Sequence, residues 1–240
     1  MALSPNGQTL YVIDSPEAPG VTVCSISNGA FLCNSKTGSH LNNPTAIAVS
    51  PDGQYAYITD AASNNITVCA IDGDSLNCSE PQGSNFDQPW GIAISPDGTT
   101  AYITDNNGIS YTTCSVSGMT LDSCVMKPLL TAELIEQGTP RGIAISPDGE
   151  TAFIAVSQGN SGINVCNVTG TTISCTSPIV NPDFLFTDPQ HVALTKDGSK
   201  LISVNLNDGN GTVVVCDVNN QAINNCNANY IGMPEGVAAF

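Results

Sequence analysis

Basic residues are scarce in this sequence, which has five Lys and Arg residues against 21 Asp and Glu residues. The formal net charge is −16 at pH 7, so the average electrostatic field around the molecule repels phosphate backbones and anionic lipid surfaces. Nucleic acids and membrane surfaces are therefore poor candidates as partners. An acidic surface suits solubility and also cation binding, and charge alone does not separate the two.

Long apolar runs and the common catalytic signatures are also missing. No stretch approaches the run of about eighteen apolar residues that a membrane-spanning helix needs, and no basic region followed by an apolar one opens the chain. GxSxG, HExxH and GxxxxGK[ST] are absent as well. We therefore expect a soluble chain without a membrane span, from which any export signal has been removed, and we can name no catalytic residue.

Cysteines, by contrast, are numerous and fall as near neighbours. The ten residues pair along the chain as Cys24 and Cys33, Cys69 and Cys78, Cys114 and Cys124, Cys166 and Cys175, and Cys216 and Cys226. A zinc site would group four ligands at CxxC-like spacing, and a redox site would have one CxxC, but neither occurs. The spacing instead predicts one disulfide per pair, formed in an oxidising compartment.

A tetrad recurs five times along the chain. It reads SPNG at Ser4, SPDG at Ser50, Ser95 and Ser146, and TKDG at Thr195. The copies start 45 to 51 residues apart, which is the size of a β-propeller blade. We predict one propeller domain over 1–240, with repeats at about 1–43, 44–88, 89–139, 140–188 and 189–240.

Each repeat divides into four short strands, and the second repeat shows them most clearly. We predict these strands at Ala46–Ser50, Tyr55–Asp60, Asn65–Ile71 and Ser75–Ser79. The Pro-Asp-Gly after the first strand supplies a turn in which Gly can take a positive φ. Cys69 and Cys78 then lie opposite each other across the outer hairpin, so a disulfide ties the outermost strand to its neighbour.

The end of the chain restates the start of a repeat. Pro234-Glu-Gly-Val-Ala-Ala-Phe240 matches the segment Pro140–Ser146, which opens the fourth repeat. Val237–Ala239 would then be the innermost strand of the first blade and would close the ring. The alternative is that these residues come from a longer array, because Met1–Leu3 would compete for the same position.

The recurrence of Gly-Ile-Ala-Ile-Ser-Pro-Asp-Gly with Tyr-Ile-Thr-Asp resembles the YVTN-type repeat propellers and their lactonase-like and NHL-type relatives. The resemblance covers all five repeats and implies an all-β, five-bladed propeller of four-stranded antiparallel blades. It does not imply one function, since such propellers include enzymes, binding modules and scaffolds. Five repeats, where lactonase-like propellers usually have six or seven, put an axial active site in doubt.

The candidate ligand-binding residues precede the first strand of each blade, where a Pro-x-Gly frame recurs around the predicted channel mouth. They are Thr45, Trp90, Arg141, Gln190 with the adjacent His191, and Glu235. The frame repeats while these side chains differ, which is typical of a specific site on a fixed scaffold. Structural roles compete with this interpretation: Trp90 could cap the channel, Arg141 could pair with Glu235, and His191 could simply be hydrogen-bonded.

A second set of polar residues ends the second strands. It consists of Asp14, Asp60, Asp105 and Asn205, while Val156 breaks the pattern. Oxygen ligands that converge on an axis would suit Ca²⁺, and the resemblance implies such a site because lactonase-like relatives bind Ca²⁺ near the channel. The simpler interpretation is that these residues initiate turns and that the chain needs no cofactor.

Two functions from different classes follow. The first is a secreted, extracellular or periplasmic, non-catalytic binding or scaffold propeller, which as a monomer recognises a protein, peptide or glycan on the face around the channel. The alternative is a lactonase-like hydrolase that uses Ca²⁺ or the Arg141, His191 and Glu235 group. The lack of a repeated acid–base set favours the first.

Overall fold

The computed structural model describes residues 1–14, 18–37, 40–82, 85–129, 138–159, 161–175, 185–207, 210–219 and 221–232. The regular structure in these ranges is β-strand, and no helix occurs among them. Their strands form five four-stranded antiparallel sheets, one from each sequence repeat. The sheets are the blades of a five-bladed β-propeller, which confirms the predicted fold class.

Strands follow the chain order across every blade. Blade 1 contains β1 (Ala2–Leu3), β2 (Thr9–Ile13), β3 (Val21–Ser27) and β4 (Ala30–Thr37). Blade 2 contains β5 (Pro44–Val49), β6 (Tyr55–Asp60), β7 (Asn65–Asp72) and β8 (Ser75–Cys78). Blade 3 contains β9 (Pro89–Ile94), β10 (Thr100–Asp105), β11 (Ser110–Ser117) and β12 (Thr120–Pro128). Blade 4 contains β13 (Thr139–Ile145), β14 (Thr151–Ser157), β15 (Gly162–Thr169) and β16 (Thr172–Ser174). Blade 5 contains β17 (Pro189–Leu194), β18 (Lys200–Asn207), β19 (Asn210–Asn219) and β20 (Ala222–Gly232).

The repeated tetrad closes the hairpin between the first two strands of each blade. In blade 2, the Gly53 amide donates to the Ser50 carbonyl oxygen at 2.8 Å, and Gly53 has a φ of +74°. Only glycine adopts this conformation without a steric cost, so the last position of the tetrad is explained. The predicted strands of blade 2 are confirmed to within two residues at each end.

The third position of the tetrad supplies an oxygen acceptor to the hairpin. Asp52 Oδ1 accepts from the Ser50 hydroxyl and, at 3.0 Å, from the Gln54 amide. In blade 1, Asn6 Oδ1 accepts from the Ser4 hydroxyl at 2.7 Å and from the amide two residues further on at 3.0 Å. The hairpin therefore needs the side-chain oxygen at this position and not the negative charge.

All five predicted disulfides are present, one in each blade, and every cysteine of the chain is bonded. Each joins the third strand of its blade to the fourth strand or to the residue just after it, with Cα–Cα distances of 3.8 to 4.3 Å. Cys69 and Cys78 are direct cross-strand partners, as predicted. The fourth strand is the sheet edge, so each disulfide holds the strand that would otherwise fray.

The described chain divides into two compact units. One comprises Met1–Ile103 and Thr112–Met126, and the other comprises Thr104–Tyr111 and Lys127–Phe240. In the first unit, two apolar clusters lie between the sheets of neighbouring blades, and the cluster between blades 2 and 3 contains the fully buried Tyr57. In the second unit, Phe153 and Phe186 centre an apolar cluster between blades 4 and 5.

The innermost strand of blade 1 is formed, in the described residues, by the N-terminal segment. Ala2 pairs with Tyr11, and Leu3 pairs with Leu10. The predicted closing strand, Val237–Ala239, lies outside the described residues, so ring closure by the C-terminus stays a prediction. No helix among the described residues is long and apolar enough to cross a membrane.

Candidate functional site

The predicted site positions coincide with irregularities in the first strands. In blades 2, 4 and 5, the register between the first two strands shifts directly after the entry proline. Thr45, Arg141 and Gln190 lie at these shifts. A β-bulge changes the direction in which a side chain points. The positions whose residue type differs from blade to blade are therefore also the positions at which the strand departs from regular pairing.

In the first unit, hydroxyl groups connect blade 2 to blade 3 at this position. Thr59 Oγ1 donates to the Trp90 carbonyl oxygen at 2.9 Å and accepts from the Ala46 amide at 2.9 Å. Thr45 Oγ1 lies 3.0 Å from Thr59 Oγ1 and 3.0 Å from the same Trp90 oxygen. The Thr45 hydroxyl thus has a structural role, while the Trp90 side chain is partly exposed beside this network.

In the second unit, a threonine hydroxyl binds the backbone of Arg141 in the same way. The Thr104 hydroxyl donates to the Arg141 carbonyl oxygen, as Thr59 does for Trp90. The side chain is held as well, because Arg141 Nε donates to Ser157 Oγ at 2.9 Å. Burial lowers the pKa of Arg141, although the nearby Asp188 carboxylate opposes that shift. The predicted ion pair with Glu235 involves a residue outside the described ranges and stays a prediction.

Gln190 and His191 lie beside Arg141 on the neighbouring blade. A Cβ atom placed on Gly142 would lie 2.7 Å from the His191 Cα and 3.1 Å from the Gln190 carbonyl oxygen, so β13 and β17 approach closely here. Gln190 Nε2 donates to the Asp188 carbonyl oxygen at 3.1 Å. Burial, assisted by the positive charge of Arg141, lowers the pKa of His191 to about 3, so the imidazole is neutral at physiological pH.

Three of the four candidate metal ligands accept hydrogen bonds from nearby residues. The buried Asp60 carboxylate accepts hydrogen bonds from the amides of Asn42, Asn43 and Ser63, which is the turn role considered above. Asp14 accepts from the Thr22 hydroxyl at 2.9 Å. Asn205 Oδ1 accepts from the Ser203 hydroxyl at 3.1 Å, and Asp105 is buried. In the part of the chain that the structure describes, no three His, Cys, Asp or Glu side chains form a group that could hold a metal ion.

Sequence reasoning missed a groove at the opposite end of the strands. It lies between blades 4 and 5 in the second unit and has a volume of about 560 Å³. The lining residues are Ser146, Pro147, Asp148, Thr151, Phe153, Asp197, Gly198, Val218 and Gln221. The only available signal was Phe153, since the equivalent residues of blades 1 to 3 are tyrosines.

The fold and its entry positions define the class of protein, a disulfide-bonded β-propeller. No protein-family model matches the chain, and no curated protein matches its sequence. Several solved structures share its fold. The periplasmic gluconolactonase of Pseudomonas aeruginosa has a TM-score of 0.69 at 16% identity, over 97% of this chain and 72% of that chain.

Two further solved structures have different printed descriptions. A chain of the nidogen–laminin complex has a TM-score of 0.68 at 17% identity, over 99% of this chain and 82% of that one. A protein from Lactobacillus plantarum has a TM-score of 0.66 at 15% identity, over 99% and 85%. At these identities the similarity shows the β-propeller fold and nothing finer.

Proposed function

We propose that this chain is a non-catalytic binding propeller, exported to an oxidising compartment, that recognises an anionic group of a protein, peptide or glycan. The proposed contact surface comprises Arg141, Gln190 and His191 in the second unit. Export is supported by the five disulfides, since cytosolic conditions keep thiols reduced. The nidogen–laminin complex is an example of a chain with this fold in an assembly between proteins.

The observation that carries the proposal is the way Arg141 is held. It is the only arginine of the chain, it lies at a β-bulge, and hydrogen bonds fix both its carbonyl oxygen and its Nε atom. A guanidinium group recognises carboxylates and related anions through a planar fork of N–H donors. Holding the side chain before the ligand arrives reduces the entropy lost on binding.

Lactone hydrolysis is the second candidate, because the fold resembles that of a gluconolactonase and a neutral imidazole lies near Arg141. His191 would have to take a proton from water, and Arg141 would polarise the lactone carbonyl. A general base works best when its pKa lies near the operating pH. A pKa of about 3 makes His191 a weak base, so binding is the better supported function.

The test is a screen of acidic and neutral oligosaccharides and peptides with the purified, oxidised chain. We expect acidic probes to bind, Arg141→Ala to weaken that binding by about tenfold or more, and Arg141→Lys to restore only part of it, because lysine keeps the charge and loses the fork. Binding that survives Arg141→Ala would contradict the proposed surface. Hydrolysis of glucono-δ-lactone that is lost in His191→Gln would favour the second candidate.

A further inference from the structure

The groove between blades 4 and 5 takes no part in the proposed function. Its hairpin residues follow the C-terminal ends of β13 and β17, whereas Arg141 and His191 lie near the N-terminal ends of those strands. About five residues of extended chain, or roughly 16 Å, separate the two regions along β13. The groove is therefore a distinct surface that needs its own explanation.

Two tyrosines fill the corresponding space between blades 2 and 3. Tyr57 Oη donates to the Gly118 carbonyl oxygen at 2.8 Å, which joins β6 to the outer turn of the next blade. A Cβ atom on Gly118 would lie 3.3 Å from Tyr55 Oη, so the second tyrosine covers the same turn. At the equivalent positions of blade 4 stand Thr151, which is shorter, and Phe153, which has no hydroxyl. The space they leave open is within the size range of small-ligand sites.

The groove combines an apolar floor with a carboxylate rim. Pro147 and Val218 supply the accessible apolar lining, while the Phe153 ring beside them is buried. Pro147 packs so closely against Gly198 that a Cβ atom there would lie 2.8 Å from the proline ring. Asp148 and Asp197 lie in the two hairpins at the rim. No lysine, arginine or histidine is among the described lining residues.

Both rim carboxylates are fixed by their own hairpins. Asp148 Oδ1 accepts from the Ser146 hydroxyl and, at 2.9 Å, from the amide of residue 150. Asp197 Oδ1 accepts from the Thr195 hydroxyl at 2.6 Å and from the Ser199 amide at 3.0 Å. These hydrogen bonds favour the ionised carboxylates, so two negative charges stand in defined positions at neutral pH.

We propose that this groove binds a lysine or arginine side chain from a basic segment of another protein. The aliphatic stem would lie along Pro147 and Val218, and the cationic head would contact Asp148 and Asp197. Long basic side chains combine an apolar stem with a charged end, which matches the floor and the rim. The net charge of −16 adds long-range attraction for a basic partner.

The test titrates the tripeptide Lys-Lys-Lys into the isotope-labelled chain at low salt, followed by NMR. We expect amide shifts centred on Gly198 and Gln221. Asp148→Asn and Asp197→Asn should each weaken binding about two- to fivefold, the range for single exposed ion pairs. Asn keeps the hairpin oxygen, as Asn6 shows in blade 1. Thr151→Tyr, which introduces the residue that blade 2 uses, should weaken binding about tenfold or more by filling the groove.

The matched control is Asp52→Asn, which removes the same charge from the hairpin of blade 2, where tyrosines fill the space. It should leave the affinity for Lys-Lys-Lys unchanged within about twofold. An equal loss in Asp52→Asn would show non-specific charge attraction and overturn the proposal. So would full affinity in Thr151→Tyr or equal binding of the tripeptide with acetylated side chains. Tighter binding of 1,4-diaminobutane than of the tripeptide would overturn the assignment to a protein segment.

Discussion

Replacing His191 by glutamine should change how the stability of this protein depends on pH. The ordinary histidine pKa of 6.5 falls to about 3 in the folded chain, mainly through burial. Between these values the unfolded chain binds a proton that the folded chain does not, so the free energy of unfolding falls as the pH is lowered. The limiting slope is about 1.4 kcal/mol per pH unit, and integration from pH 7.5 to pH 5 gives a loss of about 2 kcal/mol.

The assay is urea denaturation of the oxidised wild-type and His191→Gln proteins at pH 7.5, 6.5 and 5. Every other titratable group is present in both proteins, so the difference between the two profiles isolates His191. We expect the wild type to lose about 2 kcal/mol more than the variant over this range. Profiles that run parallel within about 0.5 kcal/mol would refute the lowered pKa of His191.

Four further outcomes are expected. Gly142→Ala should destabilise the chain by about 1 to 3 kcal/mol, since the new Cβ meets the backbone of His191, and an unchanged melting temperature would disprove that close approach. Thr59→Val should cost about 1 to 3 kcal/mol, because it leaves the buried Ala46 amide without its hydroxyl acceptor; a neutral effect in urea denaturation would contradict this. Thiol titration of the denatured, unreduced protein should find no free cysteine, and a reactive thiol would exclude the complete set of disulfides. Calcium at millimolar concentration should leave the melting temperature unchanged within about 1 °C, because the Asp60 carboxylate already accepts hydrogen bonds from three backbone amides; a rise of several degrees would favour the calcium hypothesis.

The strands and the disulfides could be predicted because their causes are local. A strand shows as apolar alternation between turn residues, and each cysteine pair lies within a single hairpin, where nine or ten residues bring its members opposite each other. For Asp60, the sequence allows two interpretations, a turn residue and a metal ligand. The sequence does not decide between them, because the Asn42 and Asn43 amides that bind the Asp60 carboxylate come from the connection before the blade.

By itself the sequence determined that five similar four-stranded units follow one another, where their turns fall and which cysteines pair. These properties depend on residues within one repeat. The alternation of side chains along a strand and the geometry of the turns are enough to predict them. Only the tertiary structure decided that the Thr104 hydroxyl holds the Arg141 carbonyl, that His191 is neutral, and that a groove lies beside Phe153. Each of these results depends on residues of an adjacent blade, about 40 to 50 positions away in the chain. A local sequence pattern does not show which of these distant residues come into contact.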